Sequence, residues 1–258
     1  MNSLDSDYHE IKDEKESADY FFHYTTKIDH LVSIMNNYFM PFYCMESIEY
    51  LHLPESNIEG MAYPLVCFCD LPLSRHKLHK DKFGEYGIGM KKKWGINKLL
   101  TPLIYSHPKS ITSTSLNILI KISESIKKNL PDDFNKFNNS VSLLLMYFKS
   151  YEGKQYNKEL KVFDESPIRF YDEREWRYIP LNVNGLKLSL EMSEHENNVT
   201  LDKENKIIQK NNRLKFNLND IEFLFLKENT EIDLFLSKLS PKYSEEDKKE
   251  IKKKIRFN

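Results

Sequence analysis

The sequence predicts an α+β fold, and three observations carry that expectation. Strand-like runs open the chain, a pair of helices fills its middle, and strand-like runs return before two closing helices. That order is sheet, helical pair, sheet, unlike the regular alternation of a parallel βαβ fold. Of 258 residues, 40% are hydrophobic, 30% charged and 13% aromatic, with a net charge of −1. Such a composition suits one soluble domain with a sizeable core. The expected organisation is a flexible acidic leader at 1–18, a single α+β domain at 19–240 with a helical insertion at about 112–152, and a Lys-rich C-terminal helix at 241–258.

The elements follow in order. Tyr20-Phe21-Phe22-His23-Tyr24 is an aromatic run suited to a strand. Ile28, Leu31, Val32 and Met35 recur at i, i+3, i+4 and i+7, marking a helix with Thr26 as its candidate N-cap. Leu65 to Cys69 reads as a buried strand ended by Asp70-Leu71-Pro72, and Tyr86 to Met90 as a further strand. Gly87 and Gly89 there allow close backbone approach or mark a bulge. Residues 112–129 and 131–150 read as two helices, broken at Pro131 and closed near Gly153. Strands are expected at Ile168–Leu181, Leu186–Leu190, Leu214–Leu218 and Ile221–Leu226, with 191–212 a polar, Asn-rich loop or hairpin end. Thr230–Leu239 and Ser244–Ile255 close the chain as helices.

Several function classes are disfavoured. The first 17 residues lack the apolar core of a signal peptide. No apolar run approaches the ~20 residues that span a bilayer, so no membrane association is expected and the cytoplasm is the default location. Three cysteines do not make a disulfide framework, and seven glycines supply no glycine-rich nucleotide loop.

The most informative stretch is Glu173-Arg174-Glu175-Trp176-Arg177-Tyr178. On a strand, Glu173, Glu175 and Arg177 would share one face while Trp176 and Tyr178 pack the other into the core. Paired carboxylates at that spacing stabilise a developing cation, or form a salt-bridged face with Arg174 or Arg177; both readings stand. Cys67 and Cys69 share a strand face and His76 and His79 a helix face, a conceivable zinc set, but Cys-x-Cys is not a common zinc spacing and no metal is expected. The terminal lysines suit solubility, with nucleic acid or an acidic partner as the alternative.

Phe22-His23-Tyr24-Thr25, Phe68-Cys69-Asp70-Leu71-Pro72-Leu73-Ser74, Tyr86-Gly87-Ile88-Gly89 with Lys93-Trp94-Gly95, and Glu173 to Pro180 together resemble the AbiGi family. That family consists of abortive-infection phage-resistance proteins, often labelled the antitoxin of a pair, which implies a co-encoded toxin or antitoxin partner. More distantly, His23-Tyr24-Thr25 followed by Leu31, Ile34 and Phe39-Met40-Pro41 resembles the opening of DarT-type ADP-ribosyltransferases. That likeness implies an ADP-ribosyltransferase-like mixed sheet core with the helical pair inserted. It also implies NAD as substrate, held by His23, Tyr24, Thr25 and Tyr86, with Glu175 as the charge-stabilising carboxylate and Glu173 as accessory. The chemistry suits the residue types, since a fixed carboxylate favours an oxocarbenium-like ribose over its ground state. The expected activity is thus an NAD-dependent ADP-ribosyltransferase or NAD glycohydrolase in anti-phage defence. The rivals are a non-enzymatic antitoxin module and an RNA-binding or RNA-cleaving domain that uses the His-rich segment after Pro72 and the Lys-rich C-terminal helix.

Overall fold

The computed structural model describes residues 17–51, 58–129, 131–181 and 187–257. The expected leader lies outside the described residues as far as Glu16, and the strand expected at Leu186–Leu190 begins outside them. The architecture is α+β. Its strands are β1 (Tyr20–Thr25), β2 (Phe42–Ser47), β3 (Gly60–Cys69), β4 (Tyr86–Lys91), β5 (Thr101–Pro102), β6 (Ile104–Ser106) and β7 (Phe148–Ser150). They continue as β8 (Gly153–Asn157), β9 (Val162–Ile168), β10 (Glu175–Tyr178), β11 (Leu190–Glu191), β12 (Ile221–Leu226) and β13 (Ile255–Phe257). The helices are α1 (Ile28–Asn37), α2 (His76–Phe83), α3 (Lys92–Asn97), α4 (Ile111–Asn129) and α5 (Pro131–Leu145). The last four are α6 (Met192–Glu196), α7 (Asn198–Asn211), α8 (Ile232–Ser237) and α9 (Glu245–Lys253).

The chain divides into two compact units. One comprises Met1–Tyr38, Phe68–Leu100 and Lys215–Asn258, the other Phe39–Cys67 and Thr101–Leu214. Strand β3 contributes to both, its last two residues falling in the first.

The first unit is a mixed sheet in the order β13, β12, β4, β1, then the end of β3. Strands β12 and β13 run parallel and the other pairs antiparallel. Its core is aromatic: Phe22, Tyr24, Leu71 and Phe225 are buried together, with Phe223 partly buried against them. The two glycines of β4 explain how so many rings fit. Tyr24 lies opposite Gly87 and Phe22 opposite Gly89. A Cβ on Gly87 would stand 2.7 Å from the Tyr24 ring, and one on Gly89 3.0 Å from both Phe22 and Phe223. The glycines provide close approach, and the pairing with β12 also shifts register beside Gly89, between Ile221 and Phe223.

Helix α1 buries Leu31, Val32 and Met35 as its periodicity predicts. Its N-cap is Lys27, not Thr26, with no side-chain cap. The C-terminal helix is shorter than its sequence pattern. Ser244 caps α9, whose first turn is acidic and last turn basic, as the helix dipole favours. It stops at Lys253 because Ile255 is buried in β13 opposite Leu224.

In the second unit β3 pairs antiparallel with β2 and β11, and β10 lies between β3 and β5. Helices α4 and α5 form the expected pair. Leu116 is buried with Tyr50, Leu51 and Phe148, and Ile120 and Leu145 pack beside them. Helix α5 ends at Leu145, and residues expected to extend it form β7, parallel to β6. A strand is needed there because Phe148, Lys149 and Ser150 are all buried and must be accommodated on both of its faces. The loop expected at 191–212 is instead α6 and α7. The asparagines that argued for a loop include Asn197, the N-cap, whose side chain accepts from the N–H groups of Val199 and Thr200.

Candidate functional site

Strand β10 inverts the expected arrangement. Glu175 and Arg177 are 5% and 0% exposed, whereas Trp176 and Tyr178, expected in the core, are only half-buried. Glu173 is also buried, but it ends the 3₁₀ turn Phe170–Glu173 and is not part of the strand. Arg174 follows in the left-handed conformation (φ 46°) and turns the chain into β10. Two buried carboxylates with a buried guanidinium require partners, because an isolated interior charge is prohibitively costly.

Those partners come from three further strands. Arg177 on β10 donates through Nε to Glu175 Oε1 at 2.5 Å, through Nη2 to Glu46 Oε2 on β2 at 2.7 Å, and through Nη1 to the Met146 carbonyl at 2.8 Å. Lys149 on β7 donates to Glu175 Oε2 at 2.7 Å and to Glu173 Oε2 at 2.9 Å, with Glu46 Oε1 3.8 Å away. The Cys67 thiol of β3 donates to Glu175 Oε1 at 2.8 Å, and the Glu175 N–H donates to the Tyr105 hydroxyl at 2.9 Å. Three carboxylates therefore enclose two cations.

The electrostatics follow from burial opposed by pairing. Burial alone pushes the Glu175 carboxyl up, but Arg177 and then Lys149 overcome it and hold it well below the ordinary carboxylate range. For Lys149, burial favours the neutral amine, and Glu173, Glu175 and Glu46 outweigh it and raise the group well above the usual lysine value. The Cys67 thiol is pushed up, first by burial and then by Glu175, so it remains a donor and is a poor nucleophile. Oε1 of Glu175 accepts two hydrogen bonds and Oε2 one, which leaves the carboxylate little capacity for a ribose hydroxyl.

His23, Tyr24, Thr25 and Tyr86 belong to the first unit, whereas Glu173 and Glu175 belong to the second. Tyr24 is buried and its hydroxyl donates to His76 Nδ1. His76 Nε2 carries the ring proton, since it contacts the Leu71 carbonyl at 2.6 Å. Burial raises the Tyr24 hydroxyl far above its usual pKa and lowers that of His76, so the pair stays neutral. His23 lies against the Phe68 ring, centroids 5.7 Å apart. The Thr25 hydroxyl meets His30 Nδ1 at 2.8 Å. Tyr86 donates to Glu231 at 2.6 Å, a bond that helps push its hydroxyl up to about 12.

Sequence reasoning missed Lys149 and Glu46. Lys149 did leave a signal, since it is the one charge in the run from Val141 to Ser150. Glu46 left none. On the C-terminal helix, Lys248, Lys249 and Lys253 each bridge a glutamate three residues earlier, which diminishes the basic block as a phosphate surface. Among the described residues no helix is long and apolar enough to cross a membrane, and no group of three His, Cys, Asp or Glu side chains is placed to hold a metal ion.

The buried ionic lock does not by itself name a class of protein; relatives do. Residues 37–227 match a family model described as "Putative abortive phage resistance protein AbiGi, antitoxin". The "Abortive phage resistance protein AbiGi" of Lactococcus lactis subsp. cremoris is 30% identical over 203 residues, which covers 73% of this chain and 82% of that protein. The chain belongs to the AbiGi family of abortive phage resistance proteins. The matched span contains the whole ionic lock, whereas the Phe22-His23-Tyr24-Thr25 motif lies before it. No solved structure matches the chain.

Proposed function

We propose that the protein is the antitoxin of an abortive-infection pair, and that it acts by binding a co-encoded toxin, not by turning over NAD. The observation that carries this reading is the engagement of Glu175. The carboxylate that an ADP-ribosyl transfer would need is buried, and both its oxygens are taken by Arg177, Lys149 and Cys67. The antitoxin description of the family supports the same reading.

The test is co-expression with the product of the neighbouring toxin gene, beside calorimetric titration of the isolated protein with NAD. The expected result is a stable complex, neutralisation of the toxin, and no heat with NAD. NAD turnover by the wild type, lost in a folded Glu175→Gln variant, would overturn the proposal in favour of an ADP-ribosyltransferase or NAD glycohydrolase.

A further inference from the structure

Helix α4 carries two apolar faces, and a surface helix ordinarily has one. Leu116 and Ile120 form the inner face against Tyr50 and Phe148. Ile111, Ile118 and Ile122 recur at i, i+7 and i+11 on another side and are 85%, 53% and 43% exposed. Exposed Ser115 stands in the same row. Helix α5 does not cover this row. It meets α4 where buried Ser123 donates to Asn138, about 100° around the helix from Ile122.

The charges around the row have one dominant sign. Helix α4 holds Lys121, Lys127 and Lys128 against a single acid, Glu124, and its first turn has no acidic residue. Lys121 and Lys128 flank the row at its C-terminal half, and the positive end of the helix dipole lies beside Ile111. A second copy of this helix is therefore a poor occupant. Antiparallel pairing would set each lysine end against a positive helix start, and parallel pairing would set lysine against lysine.

We infer that this outer face of α4 is where an acidic amphipathic helix of the co-encoded toxin docks, its apolar side on Ile111, Ile118 and Ile122 and its carboxylates on Lys121 and Lys128. The inference rests on the antitoxin reading. It matches the general helix-on-helix mode of recognition, in which anchors at helical spacing supply contact and flanking charge supplies register and encounter rate.

The test measures binding of the purified neighbouring-gene toxin to the full chain and to two double variants, Ile118→Glu/Ile122→Glu and Lys121→Glu/Lys128→Glu. All four residues lie on the solvent side of α4, and unchanged unfolding midpoints confirm that the variants fold. The isoleucine variant is expected to weaken binding at least tenfold. The lysine variant is expected to slow association and flatten its salt dependence. If the toxin binds the wild type and both variants equally, the docking inference falls while the antitoxin reading stands. If the wild type does not bind, both fall. A wild-type dimer that the isoleucine variant breaks would assign the face to a second copy and overturn the inference.

Discussion

The two units differ in what dominates their interiors, although the first also buries one ion pair, Lys92–Asp70 at 2.7 Å. In the first, rings pack over glycines, with Tyr24 across from Gly87 and Phe22 across from Gly89. In the second, β10 turns its charges inward, and Arg177 and Glu175 are matched by Lys149, Glu46 and Glu173. The first is a problem of volume, which tolerates partial adjustment. The second is a problem of pairing, where removal of one member strands the others. The motifs that drew attention in the sequence owe their pattern to these two solutions.

The sharpest way to break the comparison is to remove one member of the lock. Arg177→Met or Lys149→Met should destabilise the protein by about 3–5 kcal/mol, because a buried carboxylate loses its partner. Replacing all five members, Glu46, Glu173, Glu175, Arg177 and Lys149, together by apolar residues should recover much of that loss, because no buried charge is then left unpaired, measured by chemical unfolding. The chain has two tryptophans, Trp94 in the first unit and Trp176 in the second, so Trp94→Phe and Trp176→Phe backgrounds report each unit separately. Unfolding of Trp176 that tracks Trp94 unchanged in the Arg177→Met variant would show the units to be a single cooperative body.

In the aromatic unit, Gly87→Ala should cost about 1–3 kcal/mol through overpacking against the Tyr24 ring. Combining it with Tyr24→Leu should restore part of the loss, a coupling read from a double-mutant cycle. Tyr24→Phe should cost about 1–3 kcal/mol by leaving His76 Nδ1 buried without a donor.

Acid should act on both units, with the same sign. His76 and His195 have lowered values in the fold, chiefly through burial, so the unfolded chain binds more protons below about 6.5 and stability falls as pH drops through that range. Glu175 adds a second loss below its ordinary value of 4.5, for it too is depressed in the fold. His76→Gln should remove part of the first loss and leave the second, as unfolding midpoints between pH 7 and pH 4 will show. The smallest effect belongs to exposed pairs such as Lys253–Glu250, whose disruption should leave the unfolding midpoint unchanged.

Much of the fold was legible without coordinates. The i, i+3, i+4, i+7 spacing from Ile28 to Met35 requires a helix, Pro131 separates α4 from α5, and an aromatic strand facing a Gly-x-Gly strand implies close packing. The alternation of Glu175 to Tyr178 likewise identified a strand with two unlike faces. A period of two distinguishes the faces but does not say which is buried. That depended on Lys149 and Glu46, which lie 26 and 129 residues from Glu175 along the chain and reach its face only through the folded sheet. Local pattern therefore determined the elements and their unlike faces. Only tertiary structure decided that the charged face lies inside, because an interior charge is stable where remote partners of opposite sign converge on it.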